Sequence, residues 1–436
     1  MIERAAPGSL ALLAALPPAP PSPNRPDRPS QVLYAGAHLW KAETLSRAAE
    51  LARTTLAEAA PDDATFAEIF GLPAAIAREV RPRVAAKLST QPIEDYRIDF
   101  EDGYGIRSDE EEDAAAANAS RTLALLSDRG TLPPFIGIRL KSLSAATRQR
   151  SFRTLDAFFA ARTTSDPPLP RGFVVTLPKV EAPVEVEVLS RALEGHERTS
   201  GLPSGSLRLE IMVESPAALV GDDGSFALRR LVLAGGGRCV AAHFGAYDYT
   251  ASLGIAASDQ RLDHPACTLA RALIKLSLAG LPVGVSDGAT TVLPLSVHRG
   301  QALTVAQHEE NLTSIRRALA LHAGNVDAAL REGYTQGWDL HPAQLVARYT
   351  AIFAYYARGR AAAVGRLCGF LDRAAQATRL GATFDDAATA LGLVQFFLDG
   401  IRMGALPRAD VEADLRVTPD ALASRSFSTI LAARRA

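Results

Sequence analysis

Four places in the sequence end an apolar run on groups that could do chemistry. Tyr96-Arg97-Ile98-Asp99-Phe100-Glu101-Asp102-Gly103 closes on three acids. Strand alternation puts Asp99 and Glu101 on one face, with Asp102 turning into the loop. Leu209-Glu210-Ile211-Met212-Val213-Glu214-Ser215-Pro216 ends on Glu214, and Ser215-Pro216 then opens a helix with proline where its missing N–H costs nothing. His243-Phe244-Gly245-Ala246-Tyr247-Asp248 breaks at a glycine, and Asp248 follows within one turn. Phe135-Ile136-Gly137-Ile138-Arg139 ends on a guanidinium, which can hold a carboxylate in bidentate fashion. Each has a plainer reading: acids cap helices or sit solvated on loops, and an arginine pairs with a nearby acid.

Glu214 and Asp248 say more together than either does alone. They follow successive predicted strands, which in a parallel sheet lie about 4.8 Å apart. Two carboxylates that close repel unless one is protonated or a cation lies between them. Mg2+ favours such oxygen ligation, with the remaining positions left to water and substrate, and Mn2+ suits the same set. Lys179, in Thr176-Leu177-Pro178-Lys179-Val180-Glu181, also ends an apolar run. A Schiff-base role competes there with a structural or electrostatic one. The second is preferred, because a metal site already offers an electron sink. His38, His243, His264 and His341 are acid–base groups by type, although a single histidine commonly serves structure. There is no G-x-S-x-G elbow, P-loop, H-E-x-x-H or dinucleotide fingerprint, and Gly235-Gly236-Gly237 reads as a plain loop.

The elements that must position these residues can be read from the rest of the chain. Its 436 residues are 47% hydrophobic, enough for one large domain with an appendage or for two. A formal net charge of −1 removes the electrostatic case for nucleic acid or an anionic membrane as partner. Three widely spaced cysteines fit a reducing, cytoplasmic compartment without a disulfide framework or zinc cluster. The N-terminal MIERAAPGSLALLAAL has an acid where a secretory signal needs base, and prolines follow at once. Residues 1–31 are read as a flexible arm, and no segment suits a bilayer span.

From Val32 a β-then-α rhythm repeats about eight times. Strands are predicted at Val32–Ala35, Arg97–Phe100, Phe135–Leu140, Phe173–Leu177, Leu207–Val213, Val240–Phe244, Val283–Val285 and Gly337–Leu340. Helices are predicted at 40–59, 109–127, 145–163, 183–194, 263–279 and 304–322. Such a repeat argues for parallel strands closing as a (β/α)8 TIM barrel over 32–357, with an insertion at 60–95 carrying its own helix. An open doubly wound sheet would want a glycine-rich phosphate turn after its first strand, and Tyr34-Ala35-Gly36-Ala37-His38 is not one. Residues 358–436 read as a helical extension. Its stretch 387–401 has an apolar face (Leu391, Leu393, Val394, Phe397, Leu398) that could cover a neighbouring subunit's site, giving a homo-oligomer, or pack on its own barrel.

With these residues in place, the chain resembles the citrate lyase β-subunit-like and HpcH/HpaI aldolase superfamily, whose fold is a modified TIM barrel. IDFEDGY, FIGIRL, TLPKVEAPVEVEVL, EIMVESPAAL, HFGAYDYTASLGI and GWDLHPAQL resemble that superfamily's motifs, in order. The resemblance implies Glu214 and Asp248 as Mg2+ ligands (Mn2+ as an alternative), Arg139 as the group binding an α-keto acid or enolate, and Glu101 and Asp102 as holders of catalytic waters. The turn at Gly245 and Ala246 would face the substrate. The implied activity is a metal-dependent carbon–carbon lyase or aldolase acting on a short oxo or hydroxy acid or its acyl-CoA thioester. Two features depart from the pattern. YAGAHLWK replaces the usual opening, and Asp102 stands where the pyruvate aldolases have a histidine, so their base does not transfer. The alternatives are a malate-synthase-like condensation or a thioesterase, with Asp385 or Asp386 as an added acid, and a non-catalytic barrel subunit. Retention of both Glu214 and Asp248 argues against the last.

Overall fold

The computed structural model describes residues 28–163, 165–300, 302–380 and 387–435. Eight strands form one sheet: β1 (Gln31–Gly36), β2 (Asp95–Asp99), β3 (Phe135–Arg139), β4 (Gly172–Leu177), β5 (Arg208–Val213), β6 (Cys239–Phe244), β7 (Gly284–Ser286) and β8 (Gly337–Asp339). Neighbours run β7-β6-β5-β4-β3-β2-β1-β8, and all of these neighbouring pairs are parallel. The two edges meet where the Asp287 N–H donates to the Gln336 carbonyl at 2.9 Å, beside a parallel bridge to Gly337. The protein is therefore a TIM barrel. A closed barrel leaves no edge exposed, and its strand ends converge on one mouth.

Alternation along the strands sorts the core. Ile98, Ile138, Val175, Leu177, Ile211 and Val213 are buried in the main core cluster with the surrounding helices. The intervening residues point into the lumen. On β2 these are Asp95, Arg97 and Asp99, all buried. A strand of a parallel sheet usually reads as a continuous apolar run. This one begins two residues before the predicted Arg97 because its inward face is charged.

Helices follow the strands as the rhythm requires. After β1 come α1 (Thr44–Ala59), α2 (Asp63–Phe70) and α3 (Ala74–Thr90). The insertion thus holds two helices rather than one. The Asp62 side chain caps α2, accepting from Thr65 N at 2.8 Å, and Gly71 stops it at φ 59°. Next come α4 (Asp109–Asp128), α5 (Arg148–Ala160) and α6 (Pro183–Thr199). Ser108 and Glu111 close a capping box at the start of α4. The second half adds α7 (Leu228–Ala234), α8 (Ala246–Ser252), α9 (Pro265–Leu278) and α10 (Val305–Arg331). The short α7 and α8 were not among the predicted helices.

The chain ends in α11 (Gln344–Leu380), α12 (Ala387–Arg402), α13 (Arg408–Leu415), α14 (Pro419–Ala423) and α15 (Phe427–Arg435). Helix α11 runs unbroken through position 357, where the barrel was expected to give way to the extension. Within the 387–401 face, Val394 and Phe397 are buried, and Phe396 packs on Tyr355 and Tyr356 of α11. Most of that face is thus covered by its own chain, while Leu391 stays exposed. Among the described residues no helix is long and apolar enough to cross a membrane. Residues 1–27 of the expected arm, and Asp385 and Asp386, lie outside the described residues.

Candidate active site

The mouth is organised first by Asp99 and Arg139, which are direct register partners on β2 and β3. The guanidinium grips the carboxylate with two nitrogens, Nε to Oδ1 at 2.6 Å and Nη2 to Oδ2. Asp99 also accepts from the backbone N–H groups of Glu101 (2.8 Å) and Gly103 (2.7 Å), which folds the acidic loop back over the strand end. A Cβ on Gly103 would fall 2.5 Å from Asp99 Oδ2, so only glycine permits this turn. The remaining nitrogen of Arg139, Nη1, lies 3.2 Å from Glu101 Oε2 and 3.6 Å from the Met212 sulfur. Burial works against the charge of Arg139, but Asp99, Glu101 and Glu214 more than compensate and hold it cationic.

Lys179 draws the loops after β2, β4 and β6 together. It takes a left-handed backbone conformation (φ 51°), which costs a non-glycine residue about 1–2 kcal/mol. In that conformation its backbone N–H donates to Glu214 Oε2 at 2.8 Å. Its ammonium reaches Glu101 Oε1 at 2.6 Å, Asp248 Oδ2 at 3.2 Å and Asp102 Oδ2 at 3.3 Å. Burial alone would lower its pKa, but the surrounding carboxylates, led by Glu214 and Glu101, push it well above the ordinary value. A lysine kept charged is a poor carbonyl nucleophile, so the electrostatic reading fits its surroundings better than a Schiff base.

Glu214 sits just beyond β5, nearly inaccessible to solvent. Burial pushes its carboxyl up to about 8; Lys179 and Arg139 pull it down, while Asp248 and Glu101 add to the rise. Its packing explains Gly245. A Cβ there would lie 2.3 Å from Glu214 Cγ and 2.6 Å from Oε1. The Gly245 N–H is engaged by the Val213 carbonyl at 2.9 Å, so this residue extends the β5–β6 ladder and makes room for the glutamate. Ala246 is the buried first residue of α8, and Asp248 lies in that helix's first turn with its side chain 42% exposed.

The expected residues therefore come together: Glu101, Asp102, Arg139, Glu214 and Asp248 line one mouth. The donor set suits a hard divalent ion. Burial raises the carboxyl of Glu214 despite Lys179 and Arg139 beside it. Asp248, partly exposed on the neighbouring loop, offers a second carboxylate, which the Lys179 ammonium contacts at 3.2 Å. Among the described residues no three His, Cys, Asp or Glu side chains form a ready cage. Mg2+ is commonly held by one or two carboxylates, with water in the other positions.

The histidines divide differently. His264 and His341 accept from Ala266 N (3.1 Å) and Ala343 N (3.3 Å) at the starts of α9 and α11. His38 stands at the rim, 5.8 Å from the Tyr104 ring. His243 lies in the lumen, in a network that the sequence reading missed. There Arg97 holds Glu210 through two bonds (2.7 and 2.8 Å) and also pairs with Asp95. Thr176 Oγ1 donates to Glu210 Oε1 at 2.5 Å, and His243 Nε2 stands 3.2 Å from Oε2. The missed signal was the charged alternation Asp95, Arg97, Asp99 along β2.

Solved structures share this barrel. A citrate lyase from Burkholderia xenovorans LB400 is 18% identical, with a TM-score of 0.56 over 89% of this chain and 96% of its own. A Haloferax volcanii malate synthase, solved as a magnesium/glyoxylate complex, is 14% identical, with a TM-score of 0.47 over 91% and 97%. A citrate lyase beta subunit from M. tuberculosis, complexed with oxaloacetate and magnesium, is 17% identical, with a TM-score of 0.39 over 75% and 98%. At such identities the first likeness establishes the fold, and the other two carry no further argument. No curated protein matches the sequence. The family described as "Domain of unknown function (DUF6986)" matches residues 17–430. The chain thus belongs to the DUF6986 family and folds as a TIM barrel.

Proposed function

We propose that the protein is a Mg2+-dependent enzyme that breaks or forms a carbon–carbon bond in a short oxo or hydroxy acid, or in its CoA thioester. The observation that carries this reading is the meeting of Glu101, Asp102, Glu214 and Asp248 around Lys179, beside a buried arginine at the mouth. Glu214 and Asp248 are the metal ligands, and Mn2+ can substitute. When bound, the ion would polarise a carbonyl and stabilise enolate charge.

The chain's own groups divide the remaining work. Asp99 fixes Arg139 through Nε and Nη2, so that Nη1, held by the Glu101 ion pair and the Met212 sulfur, is the nitrogen that would meet a substrate carboxylate. Glu101 Oε2, ion-paired with Arg139 Nη1 at 3.2 Å, is buried with no hydrogen bond and so keeps acceptor capacity for an ordered water or a substrate hydroxyl. Asp102, more open to solvent, serves as the second holder of water at the rim. Met212 and the Tyr34 ring, 5.2 Å beneath the Arg139 guanidinium, close the lumen below the site. All three cysteines are free thiols, in keeping with a cytoplasmic enzyme.

The test begins with Mn2+ binding followed by electron paramagnetic resonance. The parent should bind, and Glu214→Gln should weaken binding at least tenfold, about 1.4 kcal/mol. Equal affinity in the two proteins would remove the site. The parent with Mg2+ is then assayed against oxaloacetate, 4-hydroxy-2-oxo acids, malyl-CoA and citramalyl-CoA. Turnover abolished by chelator and by Glu214→Gln is the expected result.

A further inference from the structure

We propose that Lys179 is a tethered cation that holds the acidic mouth together in the metal-free protein and is displaced when a divalent ion binds. This rests on reading the mouth as a divalent-cation site, and it adds a moving part to that site.

The two ends of Lys179 do different work. Its backbone N–H fixes Glu214 at 2.8 Å, whatever the side chain does. Its ammonium bridges the loop after β2, through Glu101 and Asp102, to the start of α8, through Asp248. The left-handed φ of 51° is what lets one residue serve both directions. The side chain can therefore leave without releasing Glu214.

A divalent ion held by Glu214 and Asp248 would ligate a carboxylate that the ammonium already contacts at 3.2 Å. Carboxylate–Mg2+ distances are about 2.1 Å, so the two cations would be near neighbours and repel with twice the strength of a unit pair. One of them must yield. Arg139 is not the one that moves, because it is buried and gripped twice by Asp99. Lys179 is a third exposed, on a flexible unbranched stem with open solvent beside it. Its departure frees Glu101 Oε1 and Asp102 Oδ1 for water or substrate at the moment the metal arrives, while Asp102 Oδ2 keeps Arg139 at 3.8 Å. The charge of the mouth is thereby balanced in turn by the lysine and by the metal.

Lysine acetylation read by mass spectrometry tests this on the intact protein. The chain has five lysines, Lys41, Lys87, Lys141, Lys179 and Lys275, so each is its own peptide signal. The protein is treated briefly with an N-hydroxysuccinimide acetate while Mn2+ is titrated and its binding followed by paramagnetic resonance. Lys179 should be sluggish without metal and several-fold more reactive once Mn2+ is bound, with the other four unchanged. In Glu214→Gln, Lys179 should stay at its metal-free reactivity at the same Mn2+ concentration. Lys179→Met should bind Mn2+ more tightly than the parent, since no tethered charge has to leave. Bound Mn2+ with Lys179 reactivity unchanged or reduced overturns the displacement and leaves the metal site standing. Weaker Mn2+ binding by a folded Lys179→Met protein does the same. If Mn2+ does not bind the parent at all, the metal reading and the displacement fall together.

Discussion

The mouth and the lumen of this barrel hold similar residues in opposite states of balance. In the lumen, Asp95 and Glu210 face Arg97 and His243, and the guanidinium contacts both acids. Burial raises the pKa of Glu210, but Arg97 and His243 outweigh it and hold that carboxyl well below its ordinary range, while burial keeps Asp95, on the same guanidinium, up at about 6. In the mouth, Asp99, Glu101, Asp102, Glu214 and Asp248 share, among the described residues, Arg139 and Lys179. There burial pushes Glu214, nearly inaccessible to solvent, up to about 8. A buried ion cluster that satisfies itself is part of the scaffold. One left with surplus acid marks the place for a cation that the chain does not supply.

Removing the lumen cation should have the largest effect. Arg97→Ala leaves Glu210 and Asp95 buried with no guanidinium, and breaking such a pair costs about 3–5 kcal/mol. The measurement is urea unfolding of the variant beside Glu214→Gln. The variant should lose several kcal/mol, and Glu214→Gln should lose little or gain. If the two cost the same, the lumen and the mouth are not different in kind and the contrast breaks.

What the sequence made legible follows the same division. The eight strands could be read because their outward faces are apolar and recur with helices between them. Glu214 and Asp248 could be paired because β5 and β6 are consecutive, and consecutive parallel strands are neighbours. Arg97 and Glu210 could not be paired that way. Their strands are separated by β3 and β4 in the sheet, so they meet only across a closed lumen. The grip of Arg139 on Asp99 needed the β2–β3 register, which a strand start misplaced by two residues conceals. The central place of Lys179 was hidden in another way. It depends on one positive φ, and its contacts span three loops. The second insertion helix was missed although Asp62, Gly71 and Pro73, a cap, a stop and a restart within a dozen residues, signal it.

The pH dependence of stability should sharpen the contrast at a middle scale. Glu214 has a folded value of about 8 against an ordinary 4.5. Between those values the folded protein keeps a proton that the unfolded chain releases, so this group's stabilising contribution is present below about pH 4.5 and lost as pH rises toward 8. With 1.4 kcal/mol per unit and some relaxation toward solvent at the mouth, the loss is roughly 2–3 kcal/mol. Urea midpoints across that window should fall more steeply in the parent than in Glu214→Gln. Saturating Mg2+ should flatten the parent's slope, since the ion takes the proton's place. Parallel slopes without metal would mean that Glu214 is already ionised and balanced, as Glu210 is.

The smallest effect on folding should come from Asp248, and its smallness is the point. Its side chain is 42% exposed, and it pairs with a lysine that is itself a third exposed. Asp248→Asn should shift stability by no more than about 0.5 kcal/mol, as for an ordinary surface substitution. Mn2+ affinity should nevertheless fall about tenfold, or 1.4 kcal/mol. Scaffold acids cannot show this dissociation, because removing one leaves an uncompensated buried partner and the fold itself suffers. An acid kept for an external cation can show it, because the folded state does not depend on it. If Asp248→Asn binds Mn2+ as the parent does, the second ligand is sought at Glu101, which already lies 2.6 Å from the lysine and 3.2 Å from Arg139.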